Sequence, residues 1–317
     1  ACATRDIASA RDNMNNTGIP SLRAAQALDV TNLAFPATDT LKLAQFITGS
    51  ISPVNMVMRQ NPTFVIVEVG ANDVLGASTR GDTTLLTPTA AFTASVTAIA
   101  DSLDSLSPKP DVAIMGVPNV TVIPHFTRAS VLWCLKTGLC PGVPATVPFS
   151  LASFTINNNC ASGAAVPGAV GDSYLVTFPA LGAILSVLSA GRLASLDCVT
   201  DQALIAVAAA PAAPSVSAGA TINSVEYPAI TGRVTALNTA ISTLATARGY
   251  AYMDASAALA AQAANIPPIP SFSTPTALFG TLFSQDGVHP TKAGHRVLAQ
   301  AFATAINAKF GTTLVVP

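Results

Sequence analysis

The pattern of hydrophobic and polar residues predicts strands that alternate with helices. Three runs are almost continuously apolar, as is typical of strands buried on both faces of a sheet: Thr63–Val69, Asp111–Val117 and Tyr250–Asp254. Three longer segments, 89–106, 223–247 and 291–310, repeat apolar residues at helical spacing. This alternation predicts the α/β class, with a mostly parallel sheet between two layers of helices in a three-layer α/β/α arrangement.

The stretch between the second strand and its following helix is too long for an ordinary connection. It covers about residues 119–222, is rich in Pro, Asn and Gly, and contains four of the five cysteines. Connections of this length usually shape a binding site. We therefore expect a single domain over residues 1–317 that carries one large insertion at about 119–222.

The cysteines favour disulfide bonds. Cys134 and Cys140 bracket a short loop whose ends can meet easily, and Cys160 and Cys198 would close a longer loop. A link of the second kind would contribute about 3–4 kcal/mol, whereas buried free thiols are the alternative. Disulfides imply an oxidising compartment, so the pattern predicts a secreted, periplasmic or cell-envelope protein. Cys2 is left over, and this favours a partner cysteine further upstream.

Charge and composition exclude several classes of protein. Fifteen Lys+Arg against sixteen Asp+Glu give a net charge of -1, so the basic footprint of a nucleic-acid binder is missing. Half of the residues are hydrophobic, which argues against disorder. The uncharged stretches 173–191 and 202–225 contain prolines, and we expect buried or loop segments there rather than membrane spans. The histidines and cysteines lack zinc-ligand spacing, so we expect no metal.

Two segments carry candidate catalytic residues. Asp286 and His289 are three residues apart and are followed by Pro290 and a helix, so the carboxylate can orient the imidazole as a base. A capping Asp beside an exposed His is the alternative. Asn72 lies in a predicted turn, Gly70–Asp73, at the carboxyl end of a buried strand, where ligands bind in open α/β sheets. Its amide can donate to an oxyanion or close an Asx-turn.

In this order, the two segments resemble the blocks of the SGNH/GDSL hydrolase family. The family's Gly-x-Asn-Asp block is similar to Gly70–Asp73, and its final Asp-x-x-His-Pro block is similar to Asp286–Pro290. The resemblance implies a flavodoxin-like fold, a serine esterase or lipase, and no cofactor. It also implies an oxyanion hole built from Asn72 and from the backbone N–H of Ser21, which stands in the place of the family's glycine; Gly18 is a weaker substitute for Ser21.

The family's Gly-Asp-Ser block, which supplies the nucleophile, should precede the block that contains Ser21. The only Gly-Asp-Ser is Gly171–Ser173, inside the insertion and with no strand leading into it, so Ser173 is not the expected nucleophile. The resemblance therefore implies a serine upstream of Ala1. That serine would act with His289 and Asp286 to hydrolyse a small-molecule or lipid ester. A catalytically inactive binding protein or fragment on the same fold is the alternative.

Two histidines and a group of aromatic residues have more than one possible role in the sequence. His125 follows the second strand and either lines a substrate pocket or is structural. His295, on the last helix, is expected in packing or at the surface. Trp133 and the phenylalanines of 126–178 form either an acyl-chain surface or ordinary core. The apolar insertion favours lipidic or aryl and alkyl esters, and acyl-chain length and oligomeric state are left undetermined.

Overall fold

A computed structural model of the chain describes residues 16–29, 51–139, 151–191, 193–200, 202–205, 221–272 and 274–317. The strands in these ranges are β1 (Phe64–Val67), β2 (Asp111–Met115), β3 (Phe126–Arg128), β4 (Phe154–Ile156), β5 (Leu175–Thr177), β6 (Ala194–Asp197), β7 (Gln202–Ile205), β8 (Thr221–Ile222) and β9 (Ala251–Met253). The α-helices are α1 (Pro53–Gln60), α2 (Ala71–Arg80), α3 (Thr89–Asp104), α4 (Ala129–Thr137), α5 (Phe178–Ser189), α6 (Glu226–Arg248), α7 (Ala255–Ala260) and α8 (Lys292–Phe310).

The three strands predicted from the sequence form one parallel sheet, in the order β1-β2-β9. In its register Val65 lies opposite Val112, and Ala113 lies opposite Ala251. Each strand is a little shorter than its hydrophobic run. Because all three run in the same direction, the segments that follow them emerge at one edge of the sheet.

Helices cover both faces of this sheet at its central strand, β2, whereas β1 leaves Phe64 and Ile66 exposed, contrary to the sequence expectation for that strand. Val112 and Ile114 of β2 belong to the main hydrophobic core, together with α3 and α6. The alternate residues Ala113 and Met115 pack in smaller clusters with residues of α8. Side chains of a strand point alternately to opposite faces, so both faces of β2 are buried. The predicted α/β class with a mostly parallel sheet is thus observed.

The insertion contains regular structure of its own. Residues 126–205, which we call the disulfide lobe, contain β3 to β7 with α4 and α5. Strands β3, β5 and β8 form an antiparallel sheet, whereas β6 pairs in parallel with β4 and antiparallel with β7. A separate hydrophobic cluster, which includes Phe154, Tyr174 and Leu181, fills the lobe. The sequence predicts mainly loop here because each element is short.

A disulfide between Cys160 and Cys198 crosses the lobe, as the sequence predicts. Both residues are buried in the lobe's hydrophobic cluster. The bond closes a loop of 38 residues in sequence separation, for which a contribution of about 3–4 kcal/mol is expected. Cys134 is also disulfide-bonded. Its predicted partner Cys140 lies outside the described residues, as does Cys2.

The uncharged stretch at 173–191 forms β5 and α5. Helix α5 has 12 residues and is therefore about 18 Å long, which is well short of a hydrocarbon core of about 30 Å. Its Leu181, Ile184 and Leu188 are buried in the lobe. In the part of the chain that the structure describes, no helix has the length and apolarity of a membrane span.

Helix α2 is the main departure from the sequence prediction near the candidate site. The sequence predicts a turn at Gly70–Asp73, but α2 begins at Ala71. Gly70 caps the helix with a φ of 106°, a conformation that side chains disfavour, and a Cβ at this position would lie 2.6 Å from a methyl group of Val117. Asn72 therefore lies on the first turn of a helix, which gives it a rigid support.

Candidate active site

The turn from Ser284 to His289 holds a carboxylate–imidazole pair. The Nδ1 atom of His289 lies 2.6 Å from Oδ2 of Asp286. The other carboxylate oxygen, Oδ1, accepts hydrogen bonds from the backbone N–H groups of Val288 at 2.8 Å and of His289 at 3.0 Å, and from the Ser284 hydroxyl at 2.6 Å. The backbone of the turn itself therefore fixes the carboxylate that orients the ring.

The imidazole of this pair faces solvent. The side chain of His289 is 75% exposed and that of Asp286 is 48% exposed. Because Nδ1 is bound to the carboxylate, Nε2 is the nitrogen left to exchange protons, and no described residue forms a hydrogen bond to it. The geometry is that of a base with a fixed tautomer and an open second nitrogen.

The hydrogen bonds around Asp286 control its ionisation. Burial raises the pKa of this carboxyl, but hydrogen bonds from Ser284, from the His289 ring and from the backbone N–H groups of His289 and Val288 outweigh it. The net result is a pKa well below the usual range for an aspartate. Asp286 therefore remains an anion over the whole range in which an imidazole can act as a base.

Replacing Ser284 with Ala should raise the pKa of Asp286 toward its ordinary value, because one of the donors to Oδ1 is lost. A depressed carboxyl pKa contributes stability above the unfolded-state pKa, and this contribution is lost as pH falls through the folded-state pKa. The variant should therefore be less stable than the wild type at neutral pH, with the difference vanishing in strong acid. An NMR titration of the Asp286 carboxyl carbon and denaturant unfolding at each pH measure both effects.

Ser95→Ala is the matched control for this change, because Ser95 is half-buried on α3, away from the turn in sequence, and its hydroxyl donates to the carbonyl of Ala91 within that helix. It should leave the titration of Asp286 unchanged. An Asp286 titration that is the same in Ser284→Ala as in the wild type would show that the Ser284 hydroxyl does not hold the carboxylate.

Asn72 is hydrogen-bonded to Leu22, the residue that follows Ser21. The side-chain Nδ2 of Asn72 donates to the carbonyl oxygen of Leu22 at 3.0 Å, across 50 residues of sequence. Ser21 has a φ of 68°, in the left-handed region that favours glycine. Ser21 therefore adopts, with a side chain, a backbone conformation that glycine adopts without strain.

Asp73 links the segment that carries Ser21 to α2. Its side chain is 1% exposed, and its Oδ2 accepts a hydrogen bond from the backbone N–H of Ala24 at 2.9 Å. Burial raises the pKa of Asp73, and the hydrogen bond from Ala24 opposes this effect. The sequence gives no separate role to Asp73, although it is the last residue of the Gly-x-Asn-Asp block. Its contact fixes the distance between the Ser21 backbone and Asn72.

The connection that follows β2 contacts both groups of candidate residues. At one end, Val117 packs against Gly70 at the start of α2. At the other end, the backbone N–H of His125 donates to the carbonyl oxygen of Gly287, beside Asp286, at 3.0 Å. In the described residues, the Asn72–Ser21 pair and the Asp286–His289 pair are joined through this segment rather than by a direct hydrogen bond.

The Gly-Asp-Ser tripeptide has a structural role in the disulfide lobe. The Ser173 hydroxyl donates to the carbonyl of Val170 at 3.0 Å, and the backbone carbonyl of Asp172 accepts from the Arg128 guanidinium at 2.6 Å. Gly171 packs directly against the backbone of Cys160. The serine hydroxyl is thus directed at a carbonyl oxygen, in contrast to a nucleophile paired with a base.

The remaining aromatic and histidine candidates lie apart from the pair. Trp133 is 5% exposed, and its Nε1 donates to the side chain of Asn158 at 3.1 Å, so it belongs to the interior of the lobe and presents no acyl-chain surface. His295 is exposed on α8. No group of three or more His, Cys, Asp or Glu side chains is placed to hold a metal ion within the described ranges.

Comparisons of the chain with protein-family models, with curated proteins and with solved structures found no match. The fold and the site define an α/β protein that carries a solvent-facing carboxylate–imidazole pair beside the connection that leaves β2. Any assignment of function therefore depends on the chemistry of that pair and of the residues around it.

Proposed function

We propose that the protein is a carboxylic ester hydrolase of the SGNH/GDSL type. The observation that carries the proposal is the preformed pair of Asp286 and His289, in which the carboxylate holds Nδ1 and leaves Nε2 exposed. A second observation supports it: Ser21 has a glycine-like φ at the position where the family uses glycine, beside the side chain of Asn72.

The proposed reaction has two halves, each of which transfers one proton through His289. A serine Oγ attacks the acyl carbon while Nε2 takes its proton, and Asp286 stabilises the resulting imidazolium. The backbone N–H of Ser21 and the amide of Asn72 donate to the oxyanion; an amide has two N–H donors, and Leu22 uses one of them. Each such donor is worth about 3–4 kcal/mol. The alcohol leaves with the proton, and water then releases the acid by the same route.

The proposed nucleophile is a serine other than Ser173, because the Ser173 hydroxyl donates to the carbonyl of Val170 inside the disulfide lobe. It must reach Nε2 of His289 and the donors of Ser21 and Asn72. Because β1, β2 and β9 are parallel, a serine that follows a strand of this sheet would lie at the same edge as Asn72.

The proposed substrates are small-molecule or lipid esters, and the proposed location is outside the cytoplasm. The Cys160–Cys198 disulfide supports an oxidising compartment. We propose no cofactor for the reaction, because a serine with an imidazole base and amide donors is sufficient for acyl transfer.

The test is hydrolysis of p-nitrophenyl acetate, butyrate and longer-chain esters by the full-length gene product. His289→Ala should lower kcat/KM about 10⁴-fold or more, because the serine loses its base. His295→Ala is the matched control: it removes an exposed imidazole from α8, six residues further along the chain, and should leave the rate within about twofold of the wild type.

A serine-reactive fluorophosphonate identifies the nucleophile in the same protein. We expect the label on a serine other than Ser173, so Ser173→Ala should label as the wild type does. Equal hydrolysis by the wild type and His289→Ala would overturn the assignment of the base. A folded full-length protein that hydrolyses none of these esters would overturn the enzyme proposal in favour of a binding protein on this fold.

A further inference from the structure

We propose that His125 is a positioning residue that holds the Asp286–His289 turn in its working geometry; its consequence for catalysis rests on the proposed function. The ring Nδ1 of His125 lies 3.0 Å from the backbone carbonyl oxygen of Asp286, across 161 residues of sequence. The backbone N–H of His125 donates to the next carbonyl, that of Gly287, at 3.0 Å. One residue thus binds two consecutive carbonyl groups of the turn.

The ring contact fixes the tautomer of His125. A carbonyl oxygen can only accept a hydrogen bond, so the hydrogen must be on Nδ1 of His125. This requirement is met by the neutral Nδ1–H tautomer and equally by the charged ring. The ring is held in turn by an edge-to-face contact with Phe126, at 5.1 Å between centroids, and Phe126 is buried at the start of β3.

The close approach of His125 depends on glycine at position 287. Gly287 has a φ of 68°, and a Cβ there would lie 2.8 Å from the backbone nitrogen of His125 and 3.0 Å from the ring of Phe279. Phe279 is 1% exposed and packs against Phe178 at the start of α5. The main chain of the turn at Gly287 is therefore held against the core.

Two sets of contacts hold two different parts of the turn, the carboxylate of Asp286 and the main-chain carbonyls. Ser284 and the N–H groups of Val288 and His289 hold the carboxylate of Asp286. His125 holds the main-chain carbonyls behind that carboxylate. Since Asp286 and His289 are both substantially exposed, loss of the ring contact of His125 would loosen the turn at the Asp286 carbonyl. Displacement by about 1 Å in such a site can cost about 10²-fold in rate.

The test compares two substitutions in the full-length protein. His125→Asn keeps an N–H donor close to the position of Nδ1, whereas His125→Leu keeps bulk and removes the ring donor; the backbone N–H that binds Gly287 remains in both. We expect His125→Leu to lower kcat for p-nitrophenyl butyrate about 10–100-fold with little change in KM, and His125→Asn to recover kcat to within about threefold of the wild type. Equal losses of kcat in the two variants would overturn a role for the hydrogen bond.

A second readout does not require hydrolysis. The proton between His289 and Asp286 should give a downfield ¹H NMR signal in the wild type and in His125→Asn, and this signal should broaden in His125→Leu as the turn becomes mobile. An unchanged signal in His125→Leu would overturn the proposal. If the NMR results are as expected but no ester is hydrolysed, His125 positions the turn and it is the proposed function that fails.

A measurement on the wild type covers the case in which His125→Leu does not fold. The ¹⁵N shifts of the His125 ring should show a protonated Nδ1 at neutral pH. A ring protonated only at Nε2 would place a lone pair against the carbonyl of Asp286, and the proposal would then be wrong whatever the variants do.

Discussion

Asp286→Asn in the full-length protein is expected to reduce kcat/KM for the proposed ester hydrolysis about 10⁴-fold while leaving the fold intact. The physical reason is the asymmetry of the carboxylate. Oδ1 has three donors, whereas Oδ2 meets only the ring of His289. In the variant the amide oxygen should take the place of Oδ1, so the amide NH₂ faces Nδ1 of His289. The hydrogen of the neutral ring is then forced onto Nε2, which can no longer accept a proton from the serine.

Steady-state kinetics and ¹⁵N NMR of the His289 ring measure the two parts of this prediction. Asp254→Asn is the matched control: Asp254 caps α7 by accepting from the N–H of Ala257, and Asn caps helices equally well. Its kcat/KM should equal that of the wild type. Activity above about a tenth of wild type in Asp286→Asn, or a ring still protonated at Nδ1, would contradict the proposed role of the carboxylate.

Gly171→Ala should destabilise the protein by about 4 kcal/mol or more, a large loss for a single methyl group. A Cβ on Gly171 would lie 1.8 Å from the carbonyl oxygen of Cys160 and 2.6 Å from that of Ala161. Both obstacles are backbone atoms next to the Cys160–Cys198 disulfide, so neither can rotate away as a side chain could. The segment must move, and the hydrogen bond from the Gly171 N–H to the carbonyl of Ala161 is then lost.

Urea unfolding curves measure this loss, and Gly163→Ala is the control in the same lobe. A Cβ on Gly163 would meet its nearest atom, the carbonyl oxygen of Ala169, at an ordinary contact distance of 3.6 Å. The control should therefore change stability by less than about 1 kcal/mol. If Gly171→Ala were as stable as Gly163→Ala, the close packing of this tripeptide against the disulfide would be refuted. A confirmed loss would also show that the only Gly-Asp-Ser of the sequence has a structural role that is separate from catalysis.

The central sheet could be predicted from the sequence because parallel strands buried on both faces, such as β2, are apolar throughout. The edge strand β1 has the same apolar pattern, although its Phe64 and Ile66 are exposed. Such strands form short, nearly unbroken apolar runs, and the runs that contain β1, β2 and β9 stand out in a chain with so many polar connections. Helix α2 could not be predicted in the same way. Its sequence contains Asn, Asp, Gly, Ser and Thr, which are weak helix formers, and tertiary contacts at Asp73 and Gly70 support its first turn.

The candidate site could also be predicted only where its residues are close together in the sequence. Asp286 and His289 are close in sequence, so their spacing alone predicts that they can meet. The Ser284 hydroxyl offers the same kind of signal two residues before Asp286, although the sequence gives no reason to prefer it over other serines. The contact of His125 with Asp286 spans 161 residues and depends on the path of the whole chain. No local pattern can predict such a contact.

The outer edge of β1 has a practical consequence for anyone who produces the protein. A row of main-chain N–H and C=O groups without a described partner strand, flanked by exposed Phe64 and Ile66, is a template for pairing with another chain. Edge strands of this kind promote aggregation when nothing covers them. Among the described residues, this edge of the sheet is therefore the surface at which pairing between copies of the chain is expected during production.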